Sequence, residues 1–237
     1  MGDAYDKIRA SFNAMAVSTY GLEGFGKSAP NVEMMRQAFS IVRRELGEIR
    51  SARIIEAGCG NAYWLAEIPT WTEWQGLRLR LEGFDLSDEL IRVARQRPTP
   101  ANCEMKLDVG NLVTYRPAEP ADVVFCFDVI QHVPKPDRPA ALRNMLAMVR
   151  GGGLVLVADN HKWAWAAIKN SVRKWLTRYT PIKLVPRGFL LASYPSFVWL
   201  EAMLGELGAE PVGSRIEHPD EAAAKRVVIF RRVNRVA

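Results

Sequence analysis

Three carboxylates, two glycines and two histidines define the chemistry open to this chain. In EAGCGNAYW, residues 56–64, Glu56 stands two positions before Gly58, and Gly60 follows two further on. Glycines allow backbone conformations closed to other residues and let a ligand lie directly against the main chain. A helix expected to start near Asn61 adds unpaired N–H groups at its positive end. Such a turn suits a dinucleotide, a nucleoside or a carboxylate. Asp85, in EGFDLSDEL, offers a carboxylate able to accept both hydroxyls of a ribose. Asp108, in KLDVGNL, is placed to accept from an exocyclic amine, and Phe127 ends the run ADVVFCF. His132, in DVIQHVPKPD, and His161, in VADNHKW, are candidate bases, because a neutral imidazole takes a proton from a hydroxyl near neutral pH.

The elements that must hold these residues alternate. ARIIEAG, LRLRLEGFD, CEMKLDV, ADVVFCF and GGGLVLVADN read as strands, short apolar runs bounded by turn residues. YWLAEI, SDELIRVARQR and RPAALRNMLAMVR read as the helices between them, with Ser87 as an N-cap and Glu89 in the first turn. Alternation of this kind predicts an α/β fold with a doubly wound, Rossmann-like sheet, mostly parallel and covered by helices on both faces. Right-handed crossovers then gather the strands' C-terminal ends on one edge, where such sheets bind ligands. Glu56, Asp85, Asp108 and Phe127 all fall at those ends. Helical periodicity over AYDKIRASFNAMAV and NVEMMRQAFSIVRREL predicts a helical N-terminal lid over residues 1–50. PSFVWLEAMLGELG reads as a late helix, and EPVGSRIEH with AKRVVIFRRV as an antiparallel C-terminal hairpin on the sheet edge. One domain spanning 1–237 is expected, with a substrate-side insertion over 161–195.

Composition narrows the function classes. The 237 residues are 49% hydrophobic and 24% charged, ordinary values for a chain that builds a full core. MGDAYDKIRASF lacks the apolar run of a secretory signal, and Asp6 stands where a myristoylation site wants Ser or Thr. No apolar stretch approaches the roughly 20 residues that span a bilayer. Cys59, Cys103 and Cys126 are too few and too scattered for a disulfide framework or a zinc ribbon, which points to the reducing cytoplasm. The net charge is +6, and seven Lys/Arg residues with no acid lie between Asn160 and Arg187. On a helical wheel Trp165, Ile168, Val172, Trp175, Leu176 and Tyr179 share one face, with Lys169, Arg173, Lys174 and Arg178 outside it. A stripe of that kind either covers the core or lies on an anionic lipid surface. The segment 162–187 is accordingly expected either to lid a pocket for a small, acidic acceptor or to make peripheral contact with the inner face of a membrane. Nucleic acid is not expected, since no appended RNA-binding domain and no N-P-P-Y or D-P-P-Y acceptor motif is present.

Taken in order and spacing, IIEAGCGNAYWL, GFDLSDELIRVAR, LDVGNL, ADVVFCFDVIQHVPKPD and MVRGGGLVLVADN resemble the class I S-adenosylmethionine-dependent methyltransferases over residues 50–160. The resemblance implies S-adenosyl-L-methionine as cofactor. It places Gly58 and Gly60 against the methionine end, Glu56 on the ammonium, and Asp85 with Leu86 at the ribose. It puts Asp108 and Val109 by the adenine and Phe127 near the methionine moiety. Ala62 departs from the third glycine of many members. DVIQHVPKPD is also similar to the ubiquinone-pathway O-methyltransferases, where an acid precedes E-H and V-P. Asp128 and His132 match, but Gln131 replaces the second acid, and losing that hard oxygen ligand leaves no metal expected. The reaction expected is methyl transfer to a small-molecule acceptor, most readily at oxygen, with His132 as base. A membrane-associated enzyme acting on a lipophilic acceptor is the alternative. A nicotinamide-dependent oxidoreductase is the rival from another class, because G-x-G-x-A passes for its fingerprint and Asp85 for its ribose acid. Glu56 would repel a pyrophosphate there, and Asp108 would have no duty. A binding module that keeps the pocket without the chemistry is a third reading.

Overall fold

The computed structural model describes residues 2–16, 28–161, 165–179, 192–218 and 225–233. Helices α1 (Gly2–Met15) and α2 (Ala29–Glu45) lead into β1 (Ser51–Ala57), α3 (Tyr63–Glu67), β2 (Arg78–Asp85), α4 (Asp88–Ala94) and β3 (Cys103–Val109). Then come β4 (Ala121–Phe127), α5 (Arg138–Met148), β5 (Val149–Asn160), α6 (Trp165–Tyr179), α7 (Phe197–Glu206), β6 (Ala209–Pro211), β7 (Ile216–Glu217) and β8 (Lys225–Arg232). The sheet runs β3-β2-β1-β4-β5-β8-β6, with β7 also paired to β8. Strands β1 to β5 pair in parallel, and β8 is antiparallel to β5, β6 and β7. The fold is therefore the expected doubly wound sheet with an antiparallel C-terminal edge.

Strand β4 shows why. Ala121 and Val123 through Phe127 are all buried, the continuous apolar run that a central parallel strand needs when both faces are covered. One face packs under α2, α3 and α4, and the other under α5 and α7. Strand order reverses between β1 and its neighbours β2 and β4, which opens a crevice at their C-terminal ends.

The two N-terminal helices part company. The α2 stripe Met34, Met35, Ala38, Phe39 and Val42 is fully buried, and Phe39 meets Phe125 edge-on at 5.1 Å. Glu45 at its end accepts from Arg231 of β8 at 2.7 Å. So α2 is a core helix rather than part of a lid, and among the described residues of the expected 1–50 cover it is α1 that lies over the strand ends. Residues 17–27 of that cover, and 162–164 and 180–191 of the expected 161–195 insertion, lie outside the described residues.

Candidate active site

At the crevice is a cavity of about 140 Å³ walled by the ends of β1, β2 and β4 and roofed by Tyr5, Ile8 and Phe12 of α1. Glu56, Gly58, Gly60, Asp85, Leu86, Phe127 and His132 all line it.

The glycine turn is built by close approach. The N–H groups of Gly58 and Cys59 both donate to the carbonyl of Phe84, at 2.7 and 3.0 Å, which folds the turn back on β2. Gly58 has φ +72°, and a Cβ there would sit 2.5 Å from a methyl of Val129. Gly60 has φ +53° but opens on free space, so its backbone faces the cavity bare. The helix begins at Tyr63, not near Asn61, because Ala62 takes a left-handed φ of 58° as its cap. With five residues it supplies little dipole, and the turn's own geometry does the positioning.

Asp85 holds this turn to the next one. Its carboxylate accepts from Gly60 N at 2.9 Å and from Ser87 N at 2.8 Å. Burial pushes its pKa up, and the N–H groups of Ser87, Gly60 and Leu86 pull it back. Ser87 in turn caps α4 by accepting from Leu90 N at 3.1 Å, a contact worth about 1 kcal/mol.

Glu56 is only 2% exposed, and one carboxylate oxygen, Oε2, is buried with no hydrogen-bond partner. Burial drives its pKa well above the usual carboxylate range, and Asp85's charge adds to that; a backbone bond from Leu65 and the charge of Arg97 oppose it. An unpaired buried oxygen of this kind costs about 1–3 kcal/mol. A ligand cation at the glycine turn removes that cost, so the pocket fits an ammonium group against bare backbone.

Asp108 and Val109 are not brought to the cavity. Burial acts to raise the Asp108 pKa, but bonds from Lys106 (2.7 Å) and the Tyr115 hydroxyl (2.9 Å) outweigh it and hold the group below its ordinary value. Val109 is 51% exposed. The chain turns inward one residue later: Gly110 N donates to the Asp85 carbonyl at 2.8 Å, and Gly110, Asn111 and Leu112 form that wall instead.

Toward the other end, Phe127 packs against Trp64 with ring centroids 4.9 Å apart, and the Lys225 ammonium lies 4.2 Å from its ring. Asp128, at φ +60°, gives one carboxylate oxygen to Lys225 and accepts the Asn160 amide at 3.0 Å on the other. An ammonium and an amide thus engage both oxygens of that carboxylate, and among the described residues no group of three or more His, Cys, Asp or Glu side chains converges. Fully buried Asp159 accepts from Gln131 N at 3.0 Å and from Asn160 N at 2.7 Å. Burial and the charge of Asp128 push it up to about pKa 7, against those two N–H bonds and Lys225.

His132 sits in a short 3-10 turn, Ile130–His132, with Phe12 of α1 edge-on to its ring at 5.0 Å. Part of the ring reaches the cavity, while packed protein around it pushes its pKa down to about 3; Lys174 and Arg138 add to the shift. The imidazole is therefore held in its neutral form around neutral pH. His161 lies apart, against Phe197 at 6.0 Å, and does not line the cavity. Helix α1 is clasped from both sides: Tyr5 donates to Asp137 at 2.9 Å and Asn13 to Asp88 at 2.8 Å. Sequence reasoning expected a helical lid over 1–50 but did not single out Tyr5, Ile8 and Phe12, although they recur at helical spacing. It also missed Lys225, whose partner is 97 residues away and which carries no local signal.

The stripe on α6 faces the other way from a core-covering helix. Val172, Trp175 and Tyr179 are 54, 58 and 67% exposed, while Leu176 is half-buried. The side chains of Trp165 and Ile168 lie outside the described residues.

Residues 54–153 match a family described as a methyltransferase domain. The ubiquinone biosynthesis O-methyltransferase of Bordetella bronchiseptica is 26% identical over 213 residues, 86% of this chain and 80% of that protein. A phosphoethanolamine N-methyltransferase of Triticum aestivum is 28% identical over 45% of this chain and 20% of its own length. Among solved structures, the N-methyltransferase NodS of Bradyrhizobium japonicum, in complex with S-adenosyl-L-homocysteine, superposes with TM-score 0.67 at 13% identity, covering 97% of this chain and 100% of that one. Magnesium protoporphyrin IX methyltransferase of Synechocystis, with bound SAH, gives 0.65 at 16% identity over 95% and 98%. The match begins in β1 and runs through the glycine turn to Gly153, so this part of the chain is a methyltransferase domain, and the fold of the S-adenosylhomocysteine-bound methyltransferases above superposes on 95% or more of the chain.

Proposed function

We propose that the enzyme methylates an oxygen of a small-molecule acceptor, with the cofactor held by Glu56, the Gly58–Gly60 turn and Asp85. The observation that carries this reading is the unpartnered Glu56 oxygen beside the bare backbone of Gly60. Bound there, S-adenosylmethionine supplies an electrophilic methyl group on sulfur. The chain's own work is alignment, which for an in-line displacement is most of the catalysis. Glu56 would take the ammonium, Asp85 would offer its remaining lone pairs to ribose hydroxyls, and Phe127 with Trp64 supplies an apolar wall of the same cavity. The α1 roof excludes water. With its pKa pushed down to about 3, His132 holds a proton poorly. It therefore orients an acidic, phenol-like hydroxyl, whose proton is finally taken by bulk water, rather than ionising an aliphatic alcohol. Similarity to the Bordetella O-methyltransferase supports oxygen as the acceptor atom. Calorimetry with S-adenosylmethionine and its demethylated product tests the cofactor assignment, and a turnover screen over phenols, alcohols and amines tests the acceptor. Binding of a nicotinamide nucleotide in their place, or turnover of amines alone, would overturn it.

One observation favours a second reading, in which the enzyme works at a membrane. The outward Val172–Trp175–Tyr179 stripe is flanked by exposed Lys169, Arg173 and Arg178, the pattern of a helix lying in an anionic interface. No described helix is long and apolar enough to cross a membrane, so contact would be peripheral. Each cation near such a surface is worth about 1 kcal/mol. Cosedimentation with phosphatidylglycerol vesicles that fades with salt, and is absent with phosphatidylcholine, is the expected result; equal behaviour with both removes this reading.

A further inference from the structure

We infer that the Lys174 ammonium and the 192–194 segment form an anion-binding subsite beside His132, so that the methyl acceptor carries a carboxylate or phosphate group. The inference rests on the methyltransferase reading, with His132 on the acceptor side of the cavity.

Four basic side chains are described on α6. Lys169, Arg173 and Arg178 are exposed, and Lys174 alone turns toward the body of the protein. Its ammonium donates to the Ala192 carbonyl at 2.8 Å and lies 4.4 Å from the Tyr194 ring. That segment is stitched to the catalytic turn, because Ser193 N donates to the Gln131 carbonyl at 2.7 Å, one residue before His132. Lys174 is thus anchored next to the His132 turn and not merely near it in sequence or charge.

A second cation backs the same turn. Buried Arg138 donates to the carbonyls of Val133 (3.1 Å), Gln131 (3.5 Å) and Ser193. Its Nε and Nη2 donate to backbone, so it braces the segment and contributes charge, feeling Asp159 only at longer range. Among the described residues neither Arg138 nor Lys174 makes an ion pair with a carboxylate. Two inward cations without a carboxylate partner thus stand beside a neutral imidazole, while Asp128 nearby is already paired with Lys225. Withdrawing a charge from water without a partner is unfavourable, and burial pulls the Lys174 ammonium down to a pKa of about 8. An ammonium has three donors, and Ala192 and the Tyr194 face use only part of that capacity. An anion arriving with the acceptor would complete the set and fix its hydroxyl against His132, with aromatic Tyr194 alongside. The three outward cations serve a surface; Lys174 does not face it.

The probes are benzoate, phenyl phosphate and neutral benzamide, titrated into enzyme saturated with S-adenosylhomocysteine. Wild type should bind benzoate or phenyl phosphate at least about 10-fold tighter than benzamide, the difference a charge-assisted contact makes. A lead for phenyl phosphate over benzoate assigns the phosphate form, and the reverse order the carboxylate form. Lys174→Met should erase the preference and Lys174→Arg keep most of it, with homocysteine-product affinity unchanged in both as proof of an intact fold. Equal binding of charged and neutral probes, or a preference that survives Lys174→Met, overturns the inference while cofactor binding stands. Failure of wild type to bind S-adenosylhomocysteine overturns the methyltransferase reading and this subsite with it.

Discussion

The two halves of the cavity are assembled in different ways. The half proposed to hold the cofactor is made of strand ends from one contiguous stretch: Glu56 and the glycine turn, Asp85, and the wall at Gly110–Leu112, all within residues 56–112 and tied to one another through the Phe84 and Asp85 carbonyls and the Asp85 carboxylate. The other half is collected from afar: α1 and the 128–133 turn line it, and Asp159, Lys174, Ser193 and Lys225 back that turn from behind. The first half is rigid sheet; the second is a mesh of side-chain bonds between segments. What differs is where the design freedom lies. A sheet edge holds a constant ligand, and a mesh can be rewired for another acceptor without touching the sheet.

Substitutions should fall unequally on the two halves. Glu56→Gln should have the largest effect, weakening S-adenosylmethionine by about 2–3 kcal/mol, roughly 50-fold, because the ammonium loses its counter-charge. The same change should stabilise the ligand-free protein. An acid whose folded pKa is raised contributes a stability that falls as pH climbs above its ordinary value, and glutamine removes that fall. Calorimetry and thermal melts from pH 5 to 8 check both signs; a weaker binder that is also less stable at pH 8 would mean Glu56 is structural.

Asp85→Asn comes next, at about 1–2 kcal/mol in cofactor affinity, since one of the Gly60 or Ser87 N–H groups loses its acceptor along with the ribose. The effect should be on affinity, with turnover at saturating cofactor little changed.

On the acceptor half, His132→Gln should slow turnover about 10-fold, the modest end for a group that orients a proton without keeping it. Cofactor affinity should stay within error. Stability gives a second readout. A histidine held down to about 3 takes up protons in the unfolded chain first, so wild type loses stability as pH falls from about 6.5 toward 3. Asp159, raised to about 7, acts oppositely, stabilising as pH falls from 7 to about 4. The difference between wild type and His132→Gln isolates the histidine, and parallel melting curves over that range would show that its ring is not buried as described.

The smallest effect is expected from Trp175→Ser with Tyr179→Ser. Both side chains are largely exposed, so unfolding free energy should move by no more than about 0.5 kcal/mol. A loss above 2 kcal/mol would mean that this stripe is covered within the protein, and the membrane reading would lose its surface.

Much of the cofactor half was legible in residue order. VVFCF and RII are too apolar and too short to be anything but buried strands, and an acid that follows such a strand has only the sheet's edge to occupy. Glu56 and Asp85 were placed at the cavity on that ground. Asp108 failed by two residues, because the step from strand to wall depends on Gly110 reaching the Asp85 carbonyl, a contact between segments 25 positions apart in number. Helices gave less. The wheel finds the apolar stripe of α2 and that of α6 by the same rule, yet one is in the core and the other faces out.

What the sequence by itself determined is the sheet, its mostly parallel character and the position of Glu56 and Asp85 at its first two strand ends, since burial of both faces and a two-residue side-chain period leave few alternatives. Only the tertiary structure decided which helix roofs the site, which way α6 presents its aromatic residues, and that Lys225 meets Asp128 and Lys174 meets the His132 turn. Periodicity reports that a face is apolar but not what lies against it. A pairing between residues 97 positions apart costs a chain-closure entropy that leaves no trace in local composition, so it is written only in the folded packing.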